Sequence, residues 1–181
     1  MNGPLKPQDI AALLAAQLRA DGGWSYQSLA TEMRVSSSYL HASLGRAEAA
    51  GLFRGDAKRV NVPAFLSVLE HALRWVYYPE LGALVRGVPT AHAAPPLDGL
   101  VQGAVANPVV WPSPTGTMRG QALEPLYPHA AKLPESAADI YQALALVDAV
   151  RLGRRRDAAL AMNQLSLRLS EPNATRSCPA D

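Results

Sequence analysis

The 181-residue chain lacks the features that mark secreted and membrane proteins. Its single cysteine, Cys178, cannot form a disulfide within the chain. No apolar run is long enough to cross a bilayer, and no secretory signal is visible at the start of the sequence. From these absences we expect a soluble, cytoplasmic protein with no membrane partner.

Recognisable catalytic patterns are also missing. The four histidines, at positions 41, 71, 92 and 129, have no cysteine or carboxylate at metal-ligand spacing. No glycine-rich loop carries the Lys-Ser/Thr pattern of a phosphate cradle. A Ser-His-Asp triad would assemble in space, but no local pattern supports one. We therefore expect no enzyme, no metal and no cofactor.

Net charge is small, at +2, and it is unevenly placed. Residues 1–62 contain seven Lys/Arg and five Asp/Glu, so they hold the whole positive excess. An excess of this size produces only a modest electrostatic field. Nucleic-acid binding at this end would depend on a few well-placed contacts and on dimerisation.

The most informative stretch is residues 24–62, whose pattern predicts helix, short turn, helix and hairpin. Ser25 and Ser36 stand where a hydroxyl can cap a helix N-terminus. Gly51 stands where a helix ends in a residue of positive φ. Two helices joined by so brief a turn are typical of a helix-turn-helix.

The outward face of the second predicted helix is small and polar. By helical period, Ser37, Ser38, Tyr39, His41 and Ala42 point away from the apolar residues of the same helix. Small side chains let a helix enter a major groove, and hydroxyl and imidazole groups can bind phosphates or base edges. An ordinary solvated helix face would look the same.

A basic hairpin is predicted after this helix. Residues 52–54 and 58–62 form its strands, and Gly55 and Asp56 favour the turn between them. Lys58 and Arg59 lie at its tip, where they can neutralise DNA phosphates. The alternative interpretation is a solvated turn with ordinary surface charge.

The stretch WSYQSLATEMRVSSSYLHASLGRAEAAGLFR resembles the winged helix-turn-helix of MarR-like bacterial transcriptional regulators. The likeness rests on the LA of the first helix, the V-S entry to the second and the AGL exit to the wing. It covers about the first third of the chain, and it departs from the family at Gly45 and Ala47. The resemblance implies that the second helix and the wing bind DNA. The predicted DNA contacts are Ser25, Tyr26, Ser37, Ser38, Tyr39, His41, Ala42, Arg46, Lys58 and Arg59.

Helical patterns also cover residues 7–20, 63–76 and 157–169, and a helix starting near Ser136 is predicted from a capping box with Asp139. Residues 79–134 hold ten of the fifteen prolines, and we expect an irregular but ordered segment there. A hairpin of residues 109–111 with 117–119 is possible within it. Pocket, partner groove and structural brace all remain open for this segment.

The predicted fold is mainly α: an N-terminal winged helix-turn-helix, then a Pro-rich irregular segment, then C-terminal helices. The predicted divisions are 1–78, 79–134, 135–170 and a frayed tail at 171–181. The leading functional hypothesis is a transcriptional regulator, such as a repressor, that binds double-stranded DNA as a homodimer, with residues 63–76 as a candidate dimer helix. The alternative is a protein-interaction module, or an antitoxin-like adaptor, whose 79–169 region binds a partner protein.

Overall fold

The computed structural model describes residues 3–100, 108–153 and 155–170. Its helices are α1 (Pro7–Leu18), α2 (Tyr26–Glu32), α3 (Ser37–Ala49), α4 (Val62–Ser67), α5 (Leu73–Val76), α6 (Leu133–Ser136), α7 (Ala138–Leu152) and α8 (Arg155–Ser170). A π-helical turn, Val68–Ala72, joins α4 to α5. The strands are β1 (Phe53–Arg54), β2 (Arg59–Val60), β3 (Leu81–Thr90), β4 (Val109–Pro112) and β5 (Met118–Leu123).

Helix α1 lies at the centre of the molecule. Its sequence is apolar on nearly every side, which is typical of a helix that is surrounded by protein. It contacts α3, α7 and α8, and its side chains from Ile10 to Ala16 are almost fully buried. Gln17 Nε2 donates to the Leu169 carbonyl at 2.8 Å. One hydrophobic core therefore includes residues from both ends of the chain.

The second half contains a small closed sheet. β3 pairs antiparallel with β5 along its first part and with β4 along its last part, and β4 pairs parallel with β5. Each strand thus pairs with both of the others. The loop between β4 and β5 packs closely on β3: a Cβ at Gly116 would overlap the Gly87 carbonyl. A side chain at position 116 would push this sheet apart.

A buried carboxylate ties this sheet to α7. Asp148 accepts hydrogen bonds from Thr90 Oγ1 at 2.8 Å, Trp111 Nε1 at 2.7 Å and Arg151 Nη1 at 2.6 Å. Arg151 Nε also donates to the Tyr77 carbonyl at 3.0 Å. Each donor offsets part of the cost of burying the carboxylate. The network fixes the position of the sheet relative to the helices.

The prediction of a mainly α chain with an N-terminal winged helix-turn-helix is wrong as a description of the fold. Helices hold 57% and strands 15% of the structure, and the three-stranded mixed sheet makes it an α/β fold. The segment 79–134 was expected to be irregular, but it supplies β3, β4 and β5. The hairpin considered for residues 109–111 with 117–119 is also wrong, because β4 and β5 are parallel and each is antiparallel to β3.

Several local predictions are confirmed, and one is not. The predicted helices at 7–20, 63–76 and 157–169 correspond to α1, to the α4–α5 run and to α8. The Ser136–Asp139 capping box is wrong, because α7 begins at Ala138 with no side-chain cap. The predicted frayed tail lies outside the described residues. No helix in the described part is long and apolar enough to cross a membrane.

Candidate nucleic-acid interface

Serine caps position the two helices of the candidate site. Ser25 Oγ accepts from the Ser28 backbone N–H at 3.0 Å, and Ser36 Oγ accepts from the Tyr39 backbone N–H at 3.1 Å. Between the helices, Arg34 adopts a left-handed conformation with φ 57°. This residue turns the chain at the end of α2, in the position where glycine is usual. Both predicted caps are therefore confirmed.

Helix α3 has one buried face and one exposed face. Leu40, Leu44 and Ala47 lie in the core, as expected from their spacing. Ser38, His41 and Ala42 are exposed, and their i, i+3, i+4 spacing places them on one side of the helix. These three side chains form the outward surface of α3.

An aromatic row connects this surface to the hairpin. The His41 ring stacks on Tyr26, with centroids 3.6 Å apart and planes 10° apart. Tyr26 contacts Trp24 edge to face at 5.3 Å, and Lys58 Nζ lies 5.5 Å from the centroid of the Trp24 ring. Burial, together with the Glu48 carboxylate, raises the pKa of Tyr26. Ring contacts therefore link the exposed face of α3 to the hairpin turn through the buried Trp24.

One face of the hairpin is apolar and packs on the core, and the other face is cationic and exposed. Phe53 pairs with Val60, and both are buried, while Arg54 pairs with Arg59, and both are exposed. Like charges directly opposite each other on two strands are unfavourable. The Asp56 carboxylate lies 3.7 Å from Arg54, and Arg59 lines a cleft together with Asp21. An anion between the two arginines would relieve their repulsion.

Lys58 contacts the protein rather than solvent alone. Its ammonium donates to the Trp24 carbonyl at 3.3 Å while lying over the Trp24 ring, and its backbone has φ 49°. The turn is also fixed by Glu48, whose Oε1 accepts from the Gly55 backbone N–H at 2.8 Å. Lys58 therefore helps to hold the hairpin against Trp24, just before α2.

Two of the predicted DNA contacts face inward instead. Arg46 forms a two-pronged ion pair with Asp9, at 2.8 Å from Nε to Oδ2 and 2.6 Å from Nη2 to Oδ1. Asp9 is fully buried, and its hydrogen bonds raise the pKa of Arg46. The Tyr39 hydroxyl is buried and has no hydrogen-bond partner among the described residues, and burial raises its pKa. Neither side chain reaches a nucleic acid in this arrangement.

The hydroxyls of Ser25 and Ser37 already have partners. Ser25 is occupied with its cap, and Ser37 Oγ donates to Gln27 Oε1 at 2.6 Å. Arg34 was not among the predicted contacts, although it is exposed at the turn before α3. Its side chain forms no hydrogen bond or ion pair with the described residues. The sequence did contain a signal for this contact, because Arg34 is a basic residue in the two-residue break between the two predicted helices.

The chain matches no protein-family model, and neither the search of curated proteins nor the search of solved structures finds a match. Nothing in these comparisons identifies a MarR-like winged helix.

Proposed function

We propose that the protein is a DNA-binding transcriptional regulator that acts as a dimer. The exposed face of α3, at Ser38, His41 and Ala42, would enter the major groove. Arg54 and Arg59 would lie along the phosphate backbone beside it. The observation that carries the proposal is the run of ring contacts, through Tyr26 and the buried Trp24, that links the exposed face of α3 to the cationic hairpin.

Side-chain size and chemistry support entry into the groove. Ala42 and Ser38 are small, so the helix backbone can approach the base edges. The His41 imidazole is stacked on Tyr26 and is still exposed, so its nitrogens are held in place for a hydrogen bond. Because Tyr26 restrains the ring, binding would cost less side-chain entropy than it would for a free histidine.

The cationic residues predict how binding depends on salt. Each phosphate that is neutralised lowers the slope of log K against log salt by about 0.9. Arg34, Arg54 and Arg59 are exposed, and two of them face each other across the hairpin. We expect that replacing Arg54 and Arg59 by glutamine weakens binding to all sequences and makes the salt slope shallower by about 2.

The test is fluorescence anisotropy with duplex DNA from upstream of the protein's own gene, titrated at several salt concentrations. The double variant Arg54→Gln/Arg59→Gln should lose affinity for specific and nonspecific DNA alike. His41→Ala should instead reduce the preference for the specific site, by roughly 1–3 kcal/mol. Arg119→Gln, at an exposed arginine in β5, removes one charge and is the matched control for each hairpin arginine replaced singly.

The proposal fails if wild-type protein shows no sequence preference at physiological salt. It also fails if Arg119→Gln changes affinity as much as the hairpin substitutions do. For a dimer, the preferred site should contain two half-sites about 34 Å apart, one helical turn of DNA.

A further inference from the structure

An apolar surface lies away from the proposed DNA contacts. Five large apolar side chains within ten residues are each between 41 and 71% exposed: Trp75, Val76, Tyr78, Leu81 and Leu84. Only three other large apolar side chains are exposed in the described part of the chain, and they are scattered at Leu100, Leu160 and Leu167. Exposed apolar side chains gathered in this way often mark an interaction site. We call it the 75–84 surface.

A bulge in β3 aligns the two leucines of this surface. Leu81 is opposite Leu123 in β5 and Leu84 is opposite Gln121, so β3 has one extra residue between these pairs. Positions 121 and 123 of β5 lie on the same face of the sheet. Leu81 and Leu84 therefore share a face as well, although their spacing in a regular strand would separate them.

The same stretch has an unpaired backbone edge. β5 pairs with one edge of β3 from Leu81 onward, whereas β4 reaches the other edge only at Gly87–Thr90. No strand in the described ranges pairs with the second edge of residues 81–85. Proteins usually cover or charge such edges, because an open apolar edge pairs with other chains. Gly82 and Ala83, in the middle of this edge, are exposed and offer no bulky obstacle.

Charge placement indicates which chain would cover it. Glu80 and Arg86 flank the apolar run at equal distances from Ala83, and both are exposed. If two copies of the stretch align antiparallel about a twofold axis at Ala83, Glu80 of each copy lies opposite Arg86 of the other. Leu81 then lies opposite Val85, Gly82 lies opposite Leu84, and the two Ala83 residues meet at the axis. Opposite charges across strands favour this register, and a parallel alignment would bring like charges together.

We propose that the 75–84 surface is the interface between two copies of this chain. Its five side chains expose roughly 500 Å² of apolar surface, since a large aromatic side chain alone presents about 150–250 Å². With the charged flank and the central small residues, the surface approaches the ~800 Å² per partner of a stable dimer. Apolar and aromatic residues at the centre with charges at the rim are the usual anatomy of such an interface.

The inference deepens the proposed function, because a twofold dimer would present two copies of the α3 and hairpin surface. The dimer can also be tested independently of the proposed function, because its interface can be measured in the absence of DNA. A monomer that still binds DNA would overturn the dimer alone. A dimer that does not bind DNA would overturn only the proposed function.

Sedimentation velocity of the full chain over a dilution series is the first test. Wild type should sediment as a dimer that dissociates on dilution. Leu84→Arg should raise the dimer Kd by roughly a hundredfold, so that this variant sediments as a monomer at working concentrations. Leu167→Arg, an equally exposed leucine in α8, is the matched control and should leave the Kd unchanged. Circular dichroism should show that both variants are folded, since both side chains are solvent-exposed.

A charge exchange tests the register. Glu80→Arg places like charges opposite each other at both ends and should raise the Kd by roughly tenfold. The double variant Glu80→Arg/Arg86→Glu reverses both charges and should restore the wild-type Kd. A surface that merely attracts apolar molecules would not show this rescue.

Four results would overturn the inference. The first is a wild-type monomer at every concentration, which would leave the surface to a different partner protein. The second is a dimer that Leu84→Arg does not weaken, and the third is a failure of the double charge exchange to restore the Kd. The fourth is an open-ended polymer in place of a dimer.

Discussion

The ion pair between Arg46 and Asp9 leads to the sharpest prediction about the structure. Arg46 in α3 and Asp9 in α1 share two hydrogen bonds, and Asp9 is fully buried. Replacing Arg46 by methionine would leave the buried Asp9 carboxylate without its cationic partner, although it would still accept from the Lys6 backbone N–H at 2.8 Å. Removing one member of a buried pair costs about 3–5 kcal/mol. For a chain of this length that lowers Tm by roughly 10 °C, since each kcal/mol is worth about 2–4 °C.

Thermal unfolding of Arg46→Met, followed by circular dichroism, measures this cost. The double variant Asp9→Leu/Arg46→Met should recover much of the lost stability, because no charge is then left unpaired. Arg54→Met, at an exposed arginine, is the matched control and should stay within about 0.5 kcal/mol of wild type. The reasoning is refuted if Arg46→Met melts like wild type and loses DNA affinity with a shallower salt slope, because Arg46 would then be a phosphate contact.

Three further substitutions test other parts of the structure. Gly116→Ala should lower the free energy of unfolding by about 3 kcal/mol, because its Cβ would overlap a facing backbone carbonyl, whereas Gly22→Ala, with open space around it, should be nearly neutral in the same urea titration. Trp111→Phe should cost about 1–3 kcal/mol in urea unfolding, since Asp148 loses a buried donor, and an unchanged stability would contradict that role. Burial raises the pKa of Tyr141 to about 12, above its ordinary value of 10, so its contribution is complete below pH 10 and is lost as the pH rises toward 12. Tyr141→Phe should therefore flatten the fall in stability between pH 10 and 12, and an equally steep fall would exclude Tyr141 as its source.

Local signals in the sequence predicted local structure well. The caps at Ser25 and Ser36 and the positive φ of Gly51 follow from short-range chemistry, and all three are confirmed. The buried stripe of α3 follows from helical period, and Leu40 and Leu44 are in the core. Each of these features involves residues only a few positions apart.

Features that depend on distant residues were missed. Arg46 and Asp9 are 37 residues apart. The local sequence around Arg46 therefore did not show that this arginine has a partner inside the protein. β3 contains Gly82, Gly87 and Pro89, and these residue types are uncommon in strands. It pairs with β4 and β5, which lie many residues away in the sequence. Here tertiary contacts, including the close approach of backbones at glycine, outweigh local preference.

The central position of α1 limits how the molecule can be divided. Because α7 and α8 supply much of its wall, a fragment that stops near residue 78 would leave the helix half uncovered in water. The segment proposed to contact DNA therefore depends on the opposite end of the chain for its own folding. During synthesis α8 must emerge from the ribosome before α1 can find its complete environment.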